Sequence, residues 1–161
     1  MQQKGHFPSG QYRGHKADIF EGGHRVPFIV QWPNKIAKAT TSDDTICLTD
    51  LMATFADISS IELKDNEAED SYSLLSIFEQ KNNSSSLREA TVQHSINGSF
   101  ALRKGEWKLI MAPGSGGWSS PTPQEIKRIS NLPPIQLYNL KKDPGETKNL
   151  EGQFHEKVSE V

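Results

Sequence analysis

Apolar and polar positions divide the chain into segments of different texture. Val26-Pro27-Phe28-Ile29-Val30-Gln31-Trp32 is a nearly continuous β-branched and aromatic run, the pattern of a strand buried on both faces of a mainly parallel sheet. Pro27, with no N–H to give a ladder, belongs at the first residue of such a strand or at its edge. Further on, Leu48, Leu51, Met52, Phe55 and Ala56 recur as one face of an amphipathic helix. This predicts a helix over Cys47 to Ile58 with Thr45 or Thr49 as its cap. After the Asn/Ser cluster Lys81 to Ser86, read as a surface linker, the pattern changes to short strands: Ala90 to His94, Phe100 to Arg103, Trp107 to Met111 and Ile135 to Leu140. Turn signals at Asn97-Gly98 and Lys104-Gly105 make the first three an antiparallel meander. Ala112 to Pro134 is rich in Gly, Ser and Pro and predicts a long loop, and Asn149 to Val161 predicts a closing helix.

Residues 1 to 26 carry no period long enough for an element and predict an ordered loop crowded with Gly, His and charge. A lone parallel-type strand with one helix cannot cover both its faces, so residues 1 to 58 have the pattern of the last part of a larger α/β sheet. Composition changes this picture little. The 161 residues are 34% hydrophobic with a net charge of −2, which gives no overall field for nucleic acid or anionic membranes. No run reaches the roughly 18 apolar residues of a membrane span, and no signal-peptide core follows Met1. The single Cys47 leaves no intrachain disulfide, and its apolar context predicts a small buried hydrophobe.

The segment Arg13-Gly14-His15-Lys16-Ala17-Asp18-Ile19-Phe20-Glu21-Gly22-Gly23-His24-Arg25-Val26-Pro27, running on to Trp32-Pro33, resembles the C-terminal part of the catalytic domain of the type I sulfatases, the arylsulfatase family. There a Lys precedes a Glu-Gly-Gly turn, an Arg-x-Pro and a buried strand ending in Trp-Pro. "LTDLMATFADIS", "FALRKGEWKLIMAP" and "LYNLKKDPGETKNL" are similar to the same family in the same order. The resemblance implies an α/β fold: the C-terminal end of an alkaline-phosphatase-like sulfatase domain over residues 1–88 (loop, buried strand, helix), then a small antiparallel sheet subdomain with a C-terminal helix over 89–161. It implies sulfate-ester hydrolysis by a formylglycine nucleophile with a Ca²⁺ on the sulfate oxygens, and a usually exported enzyme. Cys47, followed by Leu-Thr-Asp-Leu, does not match the Cys/Ser-x-Pro/Ala-x-Arg site of formylglycine. Nucleophile and metal ligands are therefore expected outside this stretch, in a missing N-terminal catalytic part, and the chain alone is expected to be inactive. An inactive truncated product, a non-catalytic module for sulfated or phosphorylated ligands, and a phosphodiesterase or phosphonate hydrolase of the same superfamily stay open as alternatives.

By that resemblance Lys16 is the sulfate-binding cation, able to stabilise charge on the sulfate oxygens in the transition state. Without the alignment it would be an ordinary solvated lysine. Glu21, Gly22 and Gly23 are expected to fix backbone shape, and Arg25 and Arg13 to brace the pocket from behind with their planar forks. His6 and His94 are expected near the leaving group, as an alternative to solvated or hydrogen-bonded histidines. Trp118, in a Gly/Ser loop, is placed to stack on a sugar or aryl group. His15 and His24 raise a metal site, but no third ligand matches and none is assigned. Asp143-Pro144-Gly145-Glu146 has the composition of a turn and is read as structural. The expected substrate is a sulfate ester, possibly of a carbohydrate.

Overall fold

The computed structural model describes residues 5–80 and 86–161, so most of the Lys81 to Ser86 linker lies outside the described residues. The chain groups into two compact units: the residues up to Pro27 together with Ala90–Val161, and Phe28–Glu89.

The first unit is built on an antiparallel sheet, β1 (Thr91–His94), β2 (Phe100–Lys104), β3 (Trp107–Ile110) and β4 (Gln136–Asn139), in that spatial order. Register is set by the two tight turns, Asn97-Gly98 and Gly105, whose glycines have positive φ. It pairs Val92 with Leu102, Leu102 with Leu109 and Leu109 with Leu137. The alternate face carries Ala101, Ile110 and Tyr138, and onto it pack Ile19 and Phe20 from the Gly- and His-rich opening segment. Both are fully buried, and each contributes roughly 1.5–3 kcal/mol by leaving water. The opening segment is thus an ordered loop, as read, closed by a one-turn helix, α1 (Glu21–His24).

The second unit contains α2 (Asp50–Ile58) and the one-turn α3 (Leu75–Phe78). Its helix lies where the apolar spacing predicts, but its orientation departs from the expected one. Met52 and Phe55 are exposed, as is Leu48 just before the helix, while Asp50 and Thr54 are buried. The cause is hydrogen bonding. Asp50 accepts from the backbone N–H groups of Cys47 (2.7 Å) and Tyr72 (3.0 Å) and pairs with Arg88, and Thr54 Oγ1 accepts from Leu74 N at 2.9 Å. Cys47 is half-buried, its sulfur 3.4 Å from Arg88 Nη1, and burial pushes its thiol up.

The strand expected over Val26 to Trp32 is not formed. Ile29 is 91% exposed and Val26 61%, and among the described residues no strand pairs with this run. A strand exists only through its neighbours' hydrogen bonds, and the described chain brings none alongside. The expected loop over Ala112 to Pro134 includes a one-turn helix, α4 (Pro123–Ile126), started by a capping box between Thr122 and Glu125. The closing helix is shorter than expected: a 3-10 turn, Glu151–Gln153, then α5 (His155–Glu160).

Candidate functional site

Lys16 is exposed, on the loop between Arg13 and Asp18, and among the described residues it makes no hydrogen bond or ion pair. Its neighbours are held from two sides. Beneath the loop, α1 packs so closely that a Cβ on Gly22 would lie 2.4 Å from Gly14 O, and one on Gly23 2.3 Å from Asp18 O. Only glycine fits at such backbone approaches, which is the physical content of the Glu-Gly-Gly motif. Beside the loop, buried Asp18 accepts from His15 N (2.8 Å), Trp118 N (2.7 Å) and Ser119 N (3.0 Å), and from the Ser119 hydroxyl. Burial draws the Asp18 carboxyl upward, but these donors outweigh it and hold its pKa below the ordinary value.

The same bonds bring Trp118 next to the Lys16 loop. Trp118 is 57% exposed, with its ring centroid 6.4 Å from that of His15. His15 Nδ1 lies 3.2 Å from Ser119 Oγ. The turn after His94 joins through Ile96 N to Ala17 O at 3.0 Å, whereas the exposed His94 ring itself lies against Phe100, with Nδ1 3.0 Å from Ser95 O. His6 is exposed on the preceding turn.

Glu21 is the hub of a buried charge cluster. Its carboxylate accepts from Lys108 Nζ (3.0 Å), Arg25 Nε (2.8 Å) and Arg103 Nη1 (3.3 Å). Lys108 and Glu146 are completely buried, with Lys108 Nζ 3.1 Å from Glu146 Oε1, while Glu146 Oε2 accepts from Glu21 N at 2.7 Å. Burial opposes ionisation of Glu21, but Lys108, Arg25 and Arg103 overcome it and bring its pKa to about 2. Burial is the largest influence on Glu146, and among the described residues Lys108 is the cation that offsets it while Glu21 adds a like charge, so its pKa is raised. Burial and the Lys108 charge push the His24 pKa down, against the opposing pull of Glu21. Arg13 stacks on Phe20 at 3.9 Å and donates to Glu146 O at 3.0 Å, and Arg25 covers Tyr12. Arg13 thus ties the start of the Lys16 loop to the Glu146 backbone, and Arg25 pairs with the Glu21 carboxylate at the start of α1.

Sequence reasoning missed Lys108, Arg103 and Asp18, and read Glu146 only as part of a turn. The available signal for Lys108 was its place between Trp107 and Leu109, two residues before Ile110 on the same strand face. The Asp143 reading holds: its carboxylate accepts from Thr147 N (2.8 Å), Thr147 Oγ1 (2.9 Å) and Lys148 N (2.9 Å), which is turn chemistry. The string Ser99-Phe100-Ala101-Leu102-Arg103 does satisfy the short formylglycine pattern and went unnoticed. Here Phe100 to Arg103 lie in β2, with Ala101 in the core and Arg103 on Glu21. Among the described residues no three His, Cys, Asp or Glu side chains converge to hold a metal, so the residues present do not fit a Ca²⁺ site. No described helix is long and apolar enough to cross a membrane.

Comparison with known proteins agrees with the arrangement. The family described as N-sulphoglucosamine sulphohydrolase, C-terminal, matches residues 13–114, which hold the Lys16 loop, α1 and the β1–β3 meander. The chain is 35% identical over 160 residues to an N-acetylgalactosamine-6-O-sulfatase of Bacteroides thetaiotaomicron, covering 98% of this chain and 30% of that protein. It is 32% identical over 152 residues to human arylsulfatase A, covering 89% of this chain and 29% of the relative. A solved structure from work on glycosaminoglycan metabolism by Bacteroides thetaiotaomicron superimposes with a TM-score of 0.77 at 32% identity, over 99% of this chain and 32% of that one. The chain thus spans about 30% of the length of these curated relatives. Its antiparallel sheet, the loop packed on it and the match over residues 13–114 make it a member of the sulfatases, in the C-terminal family of N-sulphoglucosamine sulphohydrolase.

Proposed function

We propose that this chain serves in the hydrolysis of sulfate esters, presenting Lys16 to the sulfate group and forming one wall of the substrate pocket. The observation that carries the reading is the state of Lys16: an exposed cation, unpaired among the described residues, on a loop fixed by glycine contacts on one side and Asp18 on the other. An ammonium carried on that held loop stabilises negative charge as it grows on the sulfate oxygens. Trp118, joined to the Lys16 loop through Asp18, offers an exposed aromatic face suited to a sugar ring. The reading extends to a sulfated hexosamine as the substrate class, supported by the name of the Bacteroides relative. Calcium and a formylglycine enter only as groups that the remainder of such an enzyme would supply, and no step is assigned to them through these residues.

The test is a chimera in which residues 13–161 replace the corresponding part of the Bacteroides N-acetylgalactosamine-6-O-sulfatase, assayed on a 6-O-sulfated hexosamine and on a chromogenic aryl sulfate. The wild-type chimera is expected to turn over, and Lys16→Ala to lose about a hundredfold or more in kcat/KM on both substrates. Full activity of Lys16→Ala would overturn the reading.

A further inference from the structure

Asp18 enters the reading above only as a support of the Lys16 loop, yet its carboxylate also joins that loop to the one that holds Trp118. Oδ2 binds the His15 backbone N–H at 2.8 Å on the Lys16 side, and Oδ1 binds Trp118 N at 2.7 Å and Ser119 N at 3.0 Å. The Ser119 hydroxyl donates to Oδ2 as well, and His15 Nδ1 stands 3.6 Å from that oxygen. Backbone contacts leave no slack. A Cβ on Gly117 would lie 2.5 Å from both Ala17 O and Asp18 Oδ1, and Ile19 N donates to Ser115 O at 2.8 Å. Asp18 itself is 1% exposed, so it cannot reach a ligand in solvent; its action passes through the groups it holds.

We infer that Asp18 is a positioning residue that holds the loops carrying the Lys16 cation and the Trp118 indole as one rigid recognition element, so that a sulfated ring is read as a unit. This rests on the proposed role of Lys16. Hydrogen bonds to an ionised acceptor are stronger than neutral ones, and several converging on one buried carboxylate remove the loops' freedom before the ligand arrives. Sulfate then meets the ammonium while the ring lies on the indole, and neither contact bears the ordering cost of the other.

The experiment titrates the 161-residue chain with 6-O-sulfated N-acetylgalactosamine, the unsulfated sugar and inorganic sulfate. NMR follows the Trp118 indole and the Trp118 and Ser119 amides. With Asp18 intact, Lys16→Ala and Trp118→Ala are expected to weaken the sulfated sugar non-additively, since both contacts form together. Asp18→Asn is expected to shift the Trp118 and Ser119 amides, weaken the sulfated sugar by about tenfold and abolish that coupling. Inorganic sulfate, which touches only the cation, is expected to weaken less. Ser119→Ala removes one of the clamp's bonds without removing the carboxylate and is expected to give a smaller change of the same kind, which guards against misfolding of Asp18→Asn. Unchanged sulfated-sugar affinity and coupling in both clamp variants would overturn the inference while leaving Lys16 in place. Binding of sulfate and sulfated sugar unaffected by Lys16→Ala, or no binding at all, would overturn the Lys16 reading and this inference with it.

Discussion

At the scale of single residues, the site depends on positions where one atom more cannot fit and one charge less cannot be tolerated. Gly23→Ala would drive a Cβ to 2.3 Å from Asp18 O, which is backbone and cannot step aside. The expected loss is about 2 kcal/mol, read as a lower midpoint in thermal or urea unfolding. Lys108→Met leaves Glu21 and Glu146 facing each other in the interior without their shared cation. A loss of about 3–5 kcal/mol is expected, and Lys108→Met combined with Glu146→Gln should cost less than Lys108→Met alone, because Glu146 then carries no buried charge while Glu21 keeps Arg25 and Arg103. Glu-Gly-Gly was legible as a backbone device. The partners of Glu21 were not, because Lys108 and Glu146 lie more than 80 residues along the chain and only the packing of α1 on the sheet brings them together.

At the scale of elements, local signals located the pieces well and oriented them less well. All four strands appear within a residue or two of the alternation and turn signals, because hairpin register is fixed by local chemistry. The Thr122-x-x-Glu125 pattern with Pro123 at the first helical position was present in the sequence, and the structure uses it for α4 inside a stretch otherwise read as loop. In α2 the spacing gave the helix but not its buried side, since Asp50 and Thr54 serve as hydrogen-bond hubs for the 71–74 segment. Thr54→Val should therefore cost about 1–3 kcal/mol by leaving the buried Leu74 N–H without its acceptor. Phe55→Glu, on the exposed side, should change stability by no more than about 0.5 kcal/mol while reducing self-association in sedimentation or light scattering.

At the scale of the whole molecule, the buried charges set the response to acid. Glu21 is depressed from 4.5 to about 2 and Asp18 lies below its ordinary 3.8. A carboxylate with a depressed folded pKa contributes stability above its unfolded pKa and loses it as pH falls through the folded one. Glu146 has the opposite sign: its raised pKa favours the folded state at low pH and opposes it as pH rises through the folded value. Stability is thus expected to fall steeply between about pH 4.5 and 2, and Glu21→Gln should flatten that limb in urea titrations at stepped pH. The sequence by itself determined the strand meander and the glycine turn, which are written in local spacing and residue type, and the sulfatase family, which its motifs carry by resemblance. Only the tertiary structure decided the buried cluster around Glu21, the Asp18 link between the Lys16 and Trp118 loops, the outward face of α2 and, among the described residues, the absence of a strand partner for Val26 to Trp32. Burial, ion pairing and ladder hydrogen bonds belong to pairs of groups far apart along the chain, and no single stretch of sequence contains both partners.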